Sequence, residues 1–77
     1  MTTEGRIKNV LVECLEIDPC LITPQSDLVT DLLADELDEI YIIMSLEEEF
    51  NIDIPDDKVY DFDTVGDIIK YITGRIK

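Results

Sequence analysis

The side chains able to do chemistry here are overwhelmingly carboxylates: nineteen Asp and Glu stand against six Lys and Arg, with no histidine. Paired carboxylates can divide general acid and general base roles. Oxygen-rich runs such as Glu47-Glu48-Glu49, or Asp53, Asp56 and Asp57, can hold calcium or magnesium loosely. The missing histidine removes the commonest general base, metal ligand and proton shuttle together. There is no glycine-rich phosphate loop and no cysteine pair at structural-zinc spacing. The acids therefore read as a solvated face, any divalent ion on them as charge relief, and the chain as a non-enzyme. Cys14 falls on an apolar helical stripe as a small core hydrophobe, and Cys20 follows Pro19 in a loop as a free thiol. Two cysteines make no disulfide framework.

Seventy-seven residues suffice for one small domain spanning 1–77. A domain of this size buries only roughly 60% of its unfolded surface, so the core must be modest. Yet 45% of residues are hydrophobic, too many for a disordered chain of this charge. A net charge of −13 repels nucleic acid and anionic membranes and steers the chain toward basic protein surfaces. No apolar run approaches the ~20 residues of a membrane span, and the N-terminus lacks a secretion pattern. A monomeric cytoplasmic protein that does not insert into membranes is expected.

Three main helices and a short one account for the pattern: an all-α, small four-helix bundle. Thr2 or Thr3 can cap the first helix, with Glu4 in its opening turn. Ile7, Val10, Leu11, Cys14 and Leu15 then line one face, until Asp18-Pro19 stops it. A long connection to about Ala34 follows, pinned by Ile22, Leu28, Leu32 and Leu33. The second helix runs from near Asp35 to about Phe50, and Pro55-Asp56-Asp57 opens a short helical turn through Val59 and Tyr60. Thr64 and Asp67 have capping-box spacing before the last stripe, Val65, Ile68, Ile69, Ile72 and Ile76.

The second helix carries two apolar arcs. At 100° per residue, Ile42, Ile43, Leu46 and Phe50 share one arc, and Leu37, Ile40, Tyr41 and Met44 lie roughly opposite. A helix buried all round does not suit so short a chain, and Asp38, Glu47 and Glu48 flank the second arc. The first arc is therefore assigned to the core. The second is a partly exposed patch rimmed by acids, the form of a docking surface.

Asp35-Glu36-Leu37-Asp38, then Met44-Ser45-Leu46-Glu47-Glu48-Glu49-Phe50, Ile52-Asp53-Ile54-Pro55-Asp56 and Thr64-Val65-Gly66-Asp67 follow one another in an order that resembles the acyl carrier proteins of bacterial fatty-acid synthesis. In that family an Asp-Ser-Leu triplet opens an acidic helix, and its serine is esterified by a 4′-phosphopantetheine arm that holds the acyl chain. The resemblance covers nearly the whole chain. It implies that the second helix docks onto basic surfaces of synthases, transferases and the phosphopantetheinyl transferase, through Asp35, Leu37, Asp38, Ile40, Met44, Glu47 and Glu48, to which the exposed apolar arc adds Tyr41. Three residues depart from it: Glu36 stands at the attachment serine, Leu33 replaces a glycine as an apolar pin, and Tyr41 replaces an acid. A carboxylate cannot form the serine phosphodiester, and neither Ser26 nor Ser45 has the Asp-Ser-Leu setting. The expectation is a family homologue that cannot be loaded and acts as a regulator, decoy or assembly subunit, with no cofactor in this form. The alternative is a working carrier whose serine has been replaced by Glu36, in which case 4′-phosphopantetheine is its cofactor. The accompanying changes favour natural divergence.

Overall fold

Thr2 caps the first helix, its Oγ1 accepting from the Gly5 N–H at 3.0 Å, and α1 (Thr3–Leu15) runs from there. The computed structural model describes residues 2–76, and of Asp56 and Val59 the backbone only. Among the described residues there are two further α-helices, α2 (Glu36–Phe50) and α3 (Val65–Arg75), and two 3₁₀ segments, Pro19–Leu21 and Asp56–Asp61. The expected short helix is the second of these 3₁₀ segments.

α1 ends one turn earlier than Asp18-Pro19 would require. Glu16 adopts a left-handed conformation (φ 53°) and its N–H closes on the Val12 carbonyl at 2.8 Å. Asp18 instead caps the first 3₁₀ turn, accepting from the Cys20 N–H at 2.8 Å, and that bond lowers its pKa. Cys20 is exposed there. Cys14 is half-buried beside the core, its Sγ donating to Ser45 Oγ at 3.4 Å.

The connection between α1 and α2 is ordered by its own polar groups and by stitching to α3. Buried Ser26 accepts from the Thr23 N–H and donates to the Leu21 carbonyl. Asp27 accepts from the Val29 and Thr30 N–H groups, which holds its carboxyl below the usual range. Three bonds then tie this connection to the start of α3: Leu28 N–H to Asp63 O, Val65 N–H to Ser26 O, and Gly66 N–H to Pro24 O at 2.9 Å. A Cβ at Gly66 would meet that Pro24 oxygen at 2.9 Å, so the close approach requires glycine.

Ile22, Leu28 and Leu32 pin the connection into the core as expected, but Leu33 does not. Its φ is 59° and it is 79% exposed. The chain must reverse between buried Leu32 and buried Ala34, and the left-handed residue between them points its side chain to solvent. The position keeps the backbone demand of a glycine while holding a leucine.

Ile7, Leu11, Ile42, Leu46, Ile68 and Ile72 are the fully buried centre where the three helices meet. Thr64 and Asp67 do form the expected capping box, and the Asp63 and Thr64 N–H groups donate to Asp67 Oδ2 at 3.1 Å. Ile76 falls outside the α3 stripe: it is the C-terminal cap residue and 37% exposed, because the helix ends at Arg75. Arg6 clasps α1 to the end of α2, bonding Glu49 Oε2 at 2.8 Å and the Glu49 carbonyl at 2.7 Å while stacking on Phe50.

Chemical denaturation separates these roles. Leu46→Ala should cost about 2–5 kcal/mol, since it empties a fully enclosed site, whereas exposed Met44→Ala should stay within about 0.5 kcal/mol. Leu33→Gly should stabilise by up to about 1 kcal/mol, as relief of left-handed strain outweighs glycine's greater unfolded freedom.

Candidate functional site

α2 begins where it does because Asp35 caps it. Asp35 Oδ1 accepts from the Asp38 N–H at 2.8 Å, and Asp38 Oδ2 accepts from the Asp35 N–H at 3.1 Å. This reciprocal box was legible as Asp-x-x-Asp but went unread in the sequence. It sets Glu36 as the first helical residue, exposed to solvent. Acids in the first turn also suit the positive end of the helix dipole.

The helix divides as its periodicity requires. Ile42, Ile43, Leu46 and Phe50 are buried, and Leu37, Ile40, Tyr41 and Met44 are exposed. The exposed set is not one surface, however. Ile40 and Met44 face an open groove of about 740 Å³, whose apolar lining also includes Val29, Ala34, Ile43 and Tyr60. Asp35, Glu36, Glu39 and Glu47 supply its acidic lining. Tyr41 turns the other way, into a smaller hollow of about 530 Å³ with Asp38, Ser45 and residues at the end of α1.

Two of the acids assigned to the rim hold structure. Asp38 belongs to the capping box, and half-buried Glu47 accepts from the Ile54 N–H at 2.8 Å, securing the turn after α2. Glu48 alone of these three points freely outward as an exposed acid. Among the described residues no group of His, Cys, Asp or Glu is gathered to hold a metal ion. Asp56, one member of the loose acidic run, has a side chain outside those described.

Glu39 is the residue that sequence reasoning missed. It sits three, four and seven residues before Ile42, Ile43 and Leu46, so it belongs to the edge of the core stripe. It is half-buried and lines both the groove and a slot of about 10 Å³ that reaches Leu28, Ile42, Phe62 and Ile68. Desolvation raises its pKa above the usual 4.5, and the charges of Glu36, Asp35 and Asp63 push it the same way.

The order of the helices, the long first connection and the groove at the start of α2 can now be set beside known proteins. The phosphopantetheine attachment site family matches residues 5–72. The chain is 43% identical over 70 residues to an acyl carrier protein of Caulobacter vibrioides, covering 91% of this chain and 90% of that one. It is 47% identical over 66 residues to an acyl carrier protein of Helicobacter pylori, covering 86% and 85%. The chain belongs to the acyl carrier protein family. A solution structure from Anaplasma phagocytophilum, provisionally named an acyl carrier protein, superposes with a TM-score of 0.86 at 28% identity, covering 96% of this chain and 88% of that one. Members of the family are carriers and not enzymes, and they work by meeting acyl-carrier-dependent enzymes. Among the described residues no helix is long and apolar enough to cross a membrane.

Glu39 makes a pH prediction whose sign follows from linkage. Its folded pKa lies above its unfolded value, so the native state holds the extra proton in the window above 4.5, and stability falls as pH rises through it. Glu39→Gln should therefore melt higher than the parent at pH 7, and the two should converge as the pH drops toward 4. Asp67 works in the opposite sense. Bonds from the Thr64 and Asp63 N–H groups lower its pKa, so its contribution is present above 3.8 and is lost as pH falls through the lowered value. Thermal melts of the parent, Glu39→Gln and Asp67→Asn across this range test both signs.

Proposed function

We propose that this chain is a carrier-family protein that is not loaded, and that it serves as a binding partner within the acyl-carrier system. It docks through α2 onto basic surfaces of synthases, transferases and the phosphopantetheinyl transferase of fatty-acid or related acyl synthesis. There it acts as a regulator, decoy or assembly subunit, in the cytoplasm and as a monomer.

The observation that carries this reading is Glu36 at the first position of an intact, capped α2. The helix start and its acids are retained while the attacking hydroxyl is absent. The remaining serines do not fit the arm. Ser26 is buried and hydrogen-bonded to Thr23 and Leu21, and Ser45 is half-buried inside α2 against Cys14. Neither serine thus offers its hydroxyl in the exposed helix-start setting that a 4′-phosphopantetheine arm would use, which supports the unloaded reading. Docking needs no hydroxyl, only the acidic helix and its exposed apolar residues.

A second reading draws support from the relatives, which are named acyl carrier proteins. It takes the chain as a loadable carrier in which serine at 36 has given way to Glu36. The groove beside that residue leaves room for an arm, and Glu36→Ser would restore the nucleophile.

Intact mass after incubation with coenzyme A and a broad-specificity phosphopantetheinyl transferase tests the reading. The parent should keep its mass, and Glu36→Ser should gain one arm. A stoichiometric gain by the parent, mapped to Ser26 or Ser45, would falsify the unloaded role. Docking is read by titrating a ketoacyl synthase. Charge reversal at Glu48 should weaken the complex and flatten its salt dependence, because rim charges act through steering.

A further inference from the structure

We propose that Lys58, Tyr71 and Arg75 form a carboxylate-binding site toward the C-terminal end of α3, a basic exception on an acidic chain. The site is independent of docking by α2, since none of its three residues lines the groove there.

Two separate segments bring the cations onto one ring. Lys58 belongs to the second 3₁₀ segment and Arg75 to the last turn of α3. Lys58 Nζ lies 5.4 Å, and the Arg75 guanidinium carbon 5.9 Å, from the centroid of the Tyr71 ring. Both stand inside the reach of about 6 Å over which a ring attracts a cation. Buried Phe62 fixes the tilt of that ring, packing edge-to-face on it at 5.5 Å. A cation at the end of α3 also suits the negative pole of the helix dipole. That accounts for Arg75 but not for Lys58, which reaches the same ring from another element.

What the cluster lacks is an acceptor. Arg75 Nη1 donates to Tyr71 Oη at 3.2 Å. A hydroxyl that accepts a bond keeps its own hydrogen to give, and among the described residues nothing receives it. Nor, among them, does a carboxylate pair with Arg75. Arg6, by contrast, places two N–H groups on Glu49. Lys58 meets Asp61 at 3.4 Å, a long contact between two partly exposed groups. A chain of nineteen acids thus leaves an ammonium, a guanidinium and a phenol around one ring with a single loosely held acid among the described residues.

An oxyanion is the complement of such a set. A guanidinium presents paired N–H groups to a planar carboxylate in two parallel bonds, and the phenol and ammonium can serve its remaining lone pairs. Phosphate offers similar oxygens, but its larger charge is opposed more strongly by the field of a chain at −13. A carboxylate satisfies the donors at the smallest charge. It can arrive on a small organic acid or on an acidic side chain of another protein, with the same chemistry at the ring.

NMR titration at constant ionic strength tests this, with sodium chloride as the balancing salt and the shifts of Tyr71 and Arg75 as the readout. Acetate should move both saturably, and its neutral analogue acetamide should not. Arg75→Gln should weaken acetate binding on the order of tenfold, as expected for a lost charge-assisted contact. Lys58→Met should weaken it too, and Tyr71→Phe, which removes the hydroxyl and keeps the ring, should weaken it less. Lys70→Gln, at an exposed cation of α3 outside the cluster, should leave it unchanged. Thermal melts establish that each variant is folded. A blocked peptide with a single glutamate that binds more tightly than acetate assigns the site to a protein-borne carboxylate, and one that binds no more tightly assigns it to a small acid. Acetate shifts no larger than those of acetamide, shifts that persist when Arg75→Gln and Lys58→Met are combined, or phosphate binding more tightly than acetate, overturn the inference.

Discussion

Carboxylates turned onto backbone N–H groups hold this protein together. A chain of net charge −13 has little internal cation to pair with, and its acids find amide hydrogens instead. Asp18, Asp27 and Asp31 order the first connection, Asp35 and Asp38 start α2, Glu47 fixes the turn after it, and Asp67 starts α3. Each bond satisfies a donor that the helix or turn would otherwise leave orphaned, and each gives a negative charge a partial positive neighbour. One kind of contact therefore answers both the capping of short helices and the self-repulsion of an acidic chain.

What remains for function is what this arrangement leaves over. α2 must bury Ile42, Ile43, Leu46 and Phe50, because α1 and α3 have no other centre to pack on. That orientation throws Ile40 and Met44 outward, and the ordered connection places Val29 across from them. The groove is thus a by-product of the core's own geometry. Glu39 lies on the seam between the two regions, and there it feels both desolvation and its neighbours' charge. The ion pair of Arg6 with Glu49 adds a clasp at the far end of α2, but an exposed pair of this kind is worth only about 0–1 kcal/mol.

Periodicity made the helices and the two faces of α2 readable, because burial on one side repeats with the helical turn. The Thr64–Asp67 box was readable for the same reason: its spacing is fixed by the turn it closes. Three features were harder to see. The end of α1 rests on Glu16 taking a left-handed conformation, which no glycine or asparagine announces. Leu33 looks like a pin because it is apolar, and only the reversal between Leu32 and Ala34 shows that its backbone, not its side chain, answers the local need. Glu39 is polar and so drops out of a search for apolar stripes, although its spacing to Leu46 was in plain view. The function behind Glu36 is of a different kind, since a side chain's presence in a motif does not say which partners still respond to it.

The stitching of the first connection to α3 has a kinetic corollary. The amides of Leu28, Val65 and Gly66 are bonded across two segments far apart in the chain, so none can open alone without loosening the others. They form one cooperative opening unit. Val29 rides on that unit beside Leu28, and it is also a wall of the groove. The groove's width is therefore tied to the docking of α3's first turn, and anything that seats itself against Val29 slows the release of amides on a helix it never touches.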